Sequence, residues 1–381
     1  MLIPATVSPL MLVSTYGADR ESWLPSSAAA LWQDGFPPLG FLVATFSIAL
    51  PFVYLALLIW VLATLHFGGR GSVGPVFRWT KNLRPWVMTE VYLVGCFVSY
   101  SRIKVVAAVT VGVGGWSLVA AGLMLLIVVT QLDERTVWEM LHPQSPSGKA
   151  PASGKPHGQP VSDPDGRPMG GVRSAPIACT ICDFLMAAPT PGDRASNQHC
   201  PRCGARLYLR KPASIQRTVA FVLAGYLLYI PANTLPVLTT VKFGRQEHNT
   251  ILSGVLELIR NDLWPLAVIV FTASIILPLV KLLGLTWMLV ATGRRSNRLL
   301  VERTRLYRTI DTIGRWSNID IFSVAVLVAI LQFGSLTAVH AGSGLVAFAA
   351  VVIITMFATM VFDPRLMWDA GARPRALAER K

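Results

Sequence analysis

The sequence predicts an all-α polytopic membrane protein: two parallel repeats of a four-helix unit, the first lacking its first helix, with a small cysteine ribbon between them. Three observations predict it. Apolar runs of span length recur along 381 residues, of which 53% are hydrophobic and 14% charged, against roughly 25% charged in soluble domains. A shift of 227 to 230 residues lays the first half of the chain on the second. Two Cys-x-x-Cys pairs stand between the halves. Mean hydropathy is +0.52.

The runs lie at 38–65, 86–104, 116–131, 215–238, 264–291, 318–336 and 345–362, and about 20 apolar residues cross about 30 Å of hydrocarbon. The opening MLIPATVSPLMLV is too short to span and is interrupted by Pro4 and Pro9. It lacks the basic start and small-residue cleavage site of a signal peptide. Net charge is +14, but the basic residues flank the apolar runs, so they point to membrane topology and not to nucleic acid. Six arginines fall between 293 and 308; Arg70, Arg78, Lys81 and Arg84 fall in 66–85; Arg202, Arg206, Arg210, Lys211 and Arg217 fall in 202–217. The positive-inside rule makes these loops and the C-terminus cytoplasmic.

The repeat is read from residues other than Leu and Val. At a shift of 227, Pro4, Ala5 and Pro9 fall on Pro231, Ala232 and Pro236, and Pro38, Ser47 and Pro51 fall on Pro265, Ser274 and Pro278. At 230, Trp86 falls on Trp316, Gly112 and Gly114 on Gly342 and Gly344, and Asp133, Arg135 and Trp138 on Asp363, Arg365 and Trp368. Both halves begin and end on the same side, so the repeats are parallel. The opening span of the first half is expected to be missing, either through a late start or through true loss. The expected organisation is a degenerate first transmembrane repeat at 1–141, a linker at 142–176, the ribbon at 177–211, a second repeat at 212–370 and a cytoplasmic tail at 371–381. Fourteen of the 35 linker residues are Pro or Gly, too few apolar groups to offset chain entropy.

Cys179 and Cys182 form one knuckle, Cys200 and Cys203 the other, with 17 residues between them. This is the spacing of a structural zinc ribbon, one Zn2+ held by four thiolates with no open coordination position. Gly204 suits the tight turn after the second knuckle. A dithiol redox pair competes with this reading, and His199 is an alternative ligand that four cysteines make unnecessary. The fifth cysteine, Cys96, lies in an apolar run, so a disulfide framework is not expected.

Lys281 lies ten residues before the end of its run, where a lysine costs roughly 2.5–3.5 kcal/mol. It either snorkels to the interface or is a buried cation with a partner. Ser274 shares its helix face, Pro278 between them frees a backbone carbonyl, Asp320 begins the next run and Thr355 lies within the last. Lys281, Asp320 and the two hydroxyls read as a proton-sensitive network, with Asp320 beside Lys281. The plainer readings are an interfacial Asp320 at a helix start and a Thr355 bonded to its own helix. Asn233, between Pro231 and Pro236, is expected to end its helix and border a polar pocket or simply stop it. No Ser-His-Asp set, Walker loop or carboxylate pair is present, so an enzyme is not expected. Gly112, Gly114 and Gly115 lack the helix context of a phosphate loop.

In order, the ribbon, IPANTLPV, SGVLELI, WPLAVIVFTASIILPLVKLL, RLYRTIDTIGRWSNIDIF and FDPRLMWD resemble the paraquat-inducible protein A family (PqiA/LetA). The likeness covers 179–370 well and 1–141 as a degraded first repeat; the first ribbon and first span of the family pattern are absent. The resemblance implies a multi-pass inner-membrane protein of Gram-negative bacteria with no nucleic-acid role. It implies work beside a periplasmic MCE-domain protein that forms a tunnel to the outer membrane, with phospholipid or a similar lipophilic molecule as cargo. It further implies proton coupling through a second-half network that falls on Ser274, Lys281, Asp320 and Thr355. The expected function is a lipid-transport subunit. The alternative is a zinc- or redox-responsive membrane sensor or scaffold in envelope stress.

Overall fold

Helices form along the apolar runs, and short strands form in the segments outside them. The computed structural model describes residues 1–15, 18–68, 73–104, 107–141, 177–186, 199–208, 210–242, 245–296, 298–331 and 337–370. The linker expected at 142–176 and the tail at 371–381 lie outside these residues.

From the N-terminus, α1 (Leu2–Val7) leads through Pro9 into β1 (Met11–Thr15) and β2 (Ala18–Ser22), followed by α2 (Leu24–Gln33). One 30-residue apolar helix then runs as α3 (Pro37–Ala44), a π turn at Thr45–Ala49 and α4 (Leu50–His66). The chain continues with α5 (Val73–Leu83), a 3-10 turn at Arg84–Trp86, α6 (Thr89–Ile103), β3 (Ala108–Val111), α7 (Val113–Gln131) and α8 (Glu134–Leu141). The ribbon contributes β4 (Ile177–Ala178) and β5 (Leu185–Met186). The second half follows as α9 (Ser214–Thr234), β6 (Leu238–Lys242), β7 (Arg245–Asn249), α10 (Ile251–Arg260) and α11 (Trp264–Phe271). A second π turn at Thr272–Ile276 joins α11 to α12 (Leu277–Gly293). Then come α13 (Leu300–Ile313), a 3-10 turn at Gly314–Asn318, α14 (Ile319–Ile330), β8 (Thr337–Ala341) and α15 (Ser343–Val361).

The strands correct the all-α expectation. Among the described residues, two three-stranded antiparallel sheets form, ordered β2-β1-β3 and β7-β6-β8. Met11 lies opposite both Ser22 and Val111, and Leu238 opposite both Asn249 and Ala341. Five-residue strands whose third partner sits about 100 residues away leave almost no local periodicity to read.

The two π turns have one cause. Pro51 and Pro278 carry no N–H, so the carbonyls of Ser47 and Ser274, four residues earlier, lose their helical donor, and the widened turn absorbs the defect. The hydroxyls of Ser47 and Ser274 turn back instead, donating to Val43 O at 2.7 Å and Val270 O at 2.5 Å.

Six helices among the described residues are long and apolar enough to cross a membrane: Pro37–His66, Val113–Gln131, Ser214–Thr234, Trp264–Gly293, Leu300–Ile330 and Ser343–Val361. The run at 86–104 gives only the 15-residue α6, about 22 Å long and short of a full span. It packs on α14, in which every residue from Ile319 to Val328 is buried. A helix apolar on all sides belongs at the centre of such a bundle.

The chain forms two compact units that are discontinuous in sequence: residues 1–53, 85–128 and 210–381, and residues 54–84 and 129–209. The larger unit holds both sheets and a core around α14, where Tyr92 meets Phe322 edge-on at 5.3 Å. The smaller unit gathers the ribbon cysteines with Val73, Phe77, Val137, Trp138 and Leu141 of α5 and α8.

Candidate functional site

The ribbon is built from two matching turns. Cys179 N–H donates to Phe184 O and Asp183 N–H to Cys179 O, both at 3.0 Å; Cys200 N–H donates to Ala205 O and Gly204 N–H to Cys200 O, both at 2.8 Å. Gly204 takes φ +67°, and Asp183 holds the same place in the first knuckle at φ +52°. The turns aim four buried sulfurs inward: Cys179 and Cys203 Sγ are 3.6 Å apart, Cys182 and Cys200 Sγ 3.5 Å, and all four lie within 4.8 Å of one another. Tetrahedral thiolates at about 2.3 Å from a metal stand about 3.8 Å apart, so the donor set fits a closed site. Burial pushes the Cys203 thiol up to about 12 and raises Cys182 as well. A divalent cation held by Cys179, Cys182, Cys200 and Cys203 would reverse that by favouring the thiolates. His199 is exposed and bridges to Arg206 instead. On α5, Lys81 Nζ donates to Ile181 O at 2.5 Å and pairs with Glu134 at 2.7 Å, while Arg78 reaches Cys203 O at 3.5 Å.

The polar residues of the second half lie around the 3-10 turn Gly314–Asn318. Lys281 is 2% exposed and does not snorkel. Its Nζ donates to Gly314 O at 2.6 Å and to Ser317 Oγ at 3.0 Å. The expected pairing of Lys281 with Asp320 is not formed. Asp320 is 8% exposed, lines a cavity with Arg102 and Glu257, and its Oδ2 has no hydrogen-bond partner among the described residues. The π turn carrying Ser274 packs against the Gly314–Asn318 turn that holds Lys281. Ser274 and Thr355 are fully buried and donate to carbonyls of their own helices, Val270 O and Val352 O. Thr355 lies beside Gly225 of α9, at 3.7 Å from where a Cβ would stand. Asn233 is half-buried and donates to Tyr229 O at 2.9 Å, and α9 runs through Pro231 and ends at Thr234, so the simple helix stop is the reading that fits.

Sequence reasoning missed three participants. Gly314 and Ser317 stand just before Asp320 in GRWSNID, and that short polar turn was their only signal. Arg102 stands near the end of the run at 86–104, and nothing local places it in a cavity lined mostly by the other half of the chain.

The sequence model of the family Paraquat-inducible protein A matches residues 1–142 and 215–371. The intermembrane transport protein PqiA of Escherichia coli (strain K12) is 30% identical over 373 residues, covering 97% of this chain and 83% of that protein. The lipophilic envelope-spanning tunnel protein A of the same strain is 30% identical over 316 residues, covering 82% and 67%. A probable intermembrane transport protein of Haemophilus influenzae is 22% identical over 379 residues, covering 98% and 85%. No solved structure matches. With both the family match and these relatives extending over most of its length, the chain belongs to the paraquat-inducible protein A family.

Proposed function

We propose that this chain is a non-enzymatic, integral subunit of an intermembrane lipid transport system. It sits in the bacterial inner membrane and passes phospholipid or a similar lipophilic molecule to a periplasmic MCE-domain protein. The names of its relatives support transport between membranes. The two halves act as parallel repeats, a reading supported by the same succession of elements from β1 to α7 and from β6 to α15. The ribbon and C-terminus face the cytoplasm, in keeping with the basic loops. One Zn2+ bound by Cys179, Cys182, Cys200 and Cys203 makes a short polar segment fold, since metal binding there is folding energy.

The observation that carries proton coupling is the hold of Lys281 on the Gly314–Asn318 turn. An ammonium in an apolar bundle is costly, and two neutral oxygens compensate it less than a carboxylate does. Loss of its proton removes one N–H and the charge that strengthens both bonds to that turn, while Asp320, two residues beyond the turn, presents its carboxyl to the cavity. Lys281 and Asp320 therefore bias one short element between two positions without forming a pair, with Ser274 and Thr355 as neighbouring hydroxyls. Lys281→Ala and Asp320→Asn are each expected to abolish complementation of an envelope-lipid defect at unchanged protein level. Wild-type growth of both variants ends the proposal of a proton network.

The sensor reading is tested at the thiols. Metal analysis of the purified chain is expected to find about one zinc per molecule. The double substitution Cys179→Ser, Cys200→Ser is expected to lose the zinc, become protease-sensitive at the ribbon and lose transport. Transport that persists without the metal favours the sensor. Burial of all four thiols supports the structural role, because reactive cysteines are partly exposed.

A further inference from the structure

The cavity beside Asp320 holds a second ionic group that the proton network does not use. Arg102, at the end of α6, reaches into it from the first half of the chain, and Asp320 faces it from α14. Among the described residues, Nε of Arg102 and Oδ2 of Asp320 are both buried without a hydrogen-bond partner. The two charges attract across the space, yet they do not close to an ion pair. Glu257 of α10 also stands within electrostatic reach of Arg102. Apolar walls continue the cavity through Leu258, Val270, Leu327 and Phe348.

A cation and an anion held apart in an apolar bundle are costly unless something fills the gap and hydrogen-bonds to both. One kind of ligand does both at once: a zwitterion with an anion at one end, a cation at the other and an apolar tail. A guanidinium fork suits the tetrahedral oxygens of phosphate, donating two N–H bonds in parallel. A free carboxylate oxygen suits the N–H groups of a primary ammonium. We infer that this cavity binds a head group carrying phosphate and a primary amine, as in phosphatidylethanolamine, with Arg102 on the phosphate and Asp320 on the ammonium. This rests on the transport reading in taking the head as part of the cargo, and it makes Arg102 a specificity-determining residue supplied by the opposite half of the chain.

The test uses the full-length chain purified in detergent and equilibrated with equal amounts of phosphatidylethanolamine, phosphatidylglycerol and diacylglycerol of the same chains. Retained lipid is then quantified by mass spectrometry. Wild type is expected to retain phosphatidylethanolamine about tenfold over phosphatidylglycerol, the effect of one charge-assisted hydrogen bond, and diacylglycerol least. Arg102→Gln is expected to lower both phospholipids about tenfold and leave diacylglycerol unchanged. Arg102→Lys keeps a point charge and is expected to cost only about threefold, which secures the test if the glutamine variant fails to fold. Asp320→Asn is expected to erase the preference between the two phospholipids. Adding phosphoethanolamine distinguishes sources: displacement of bound lipid shows that the head alone suffices, and no displacement shows that the chains are needed, the same charge chemistry holding in both. Equal retention of all three lipids by wild type, or folded Arg102 variants that retain both phospholipids as wild type does, overturns the inference. The transport reading is judged separately by complementation, so it can survive that result.

Discussion

A Cβ placed on Gly342 would stand 2.2 Å from Pro236 O, and one on Gly112 would stand 2.2 Å from Pro9 O. Both glycines sit where a helix begins against the chain that enters a sheet. Gly342 N–H donates to Val237 O at 2.8 Å and Gly344 N–H to Pro236 O at 2.9 Å, so the backbones cannot separate without losing these bonds. The glycines that coincide at the 230-residue shift are therefore a close backbone contact, made once in each half. Gly342→Ala is expected to destabilise the fold by about 1–3 kcal/mol, the usual cost of overpacking, and to lower the thermal midpoint of the purified protein. Gly254→Ala, in α10 with nothing within 4 Å of its Cβ, is expected to be neutral or slightly stabilising, because alanine loses less entropy in a helix. Equal shifts in the two variants would contradict the contact.

The central helix pair is fastened at few points. Ser99 Oγ lies 2.9 Å from Gly95 O, 2.8 Å from Ser323 O and 3.2 Å from Ser323 Oγ. A Cβ on Gly95 would stand 2.9 Å from Phe322 Cβ and 3.1 Å from Ser323 N. Small residues allow this approach, and where both helices are enclosed by apolar neighbours the hydroxyl contacts add specificity. Ser99→Ala is expected to cost about 1 kcal/mol, while Gly95→Leu forces α6 away from α14 and is expected to abolish folded yield in detergent, read by size-exclusion profile. A monodisperse Gly95→Leu protein at wild-type yield would show that the pair has room the distances deny. Asn233 and Pro231 teach a related lesson at this scale. Asn233 bonds back to its own helix, and α9 passes Pro231 and ends at Thr234, between the two prolines, as the simple helix stop expected around Asn233.

Across the larger unit, Asp34 at the end of α2 accepts from His340 Nδ1 and from Ala341 N–H, both at 2.9 Å, joining the first half to the strand β8 of the second. The sheets and the basic loops are expected on opposite sides of the membrane. Glu247 on β7 and Arg305 on α13 are both exposed, and all five native cysteines are buried, so labelling background is low. Glu247→Cys is expected to react with an impermeant maleimide on spheroplasts, and Arg305→Cys only after permeabilisation. The reverse pattern would invert the topology.

The amino-acid order by itself determined what depends on local spacing and local hydropathy: the long apolar helices, the carbonyl that Pro278 frees, the family, and the four cysteines whose two knuckles each close within a few residues. The tertiary structure decided what depends on contacts between distant segments. It added two sheets whose third strands arrive from far along the chain, and it assigned Lys281 to the Gly314–Asn318 turn instead of to Asp320. It also brought Arg102 to Asp320 from the other half. Burying a charge in an apolar bundle is costly at any position, so a sequence can announce that it needs a partner; which partner it finds, and how well that partner compensates it, is set by how the helices pack.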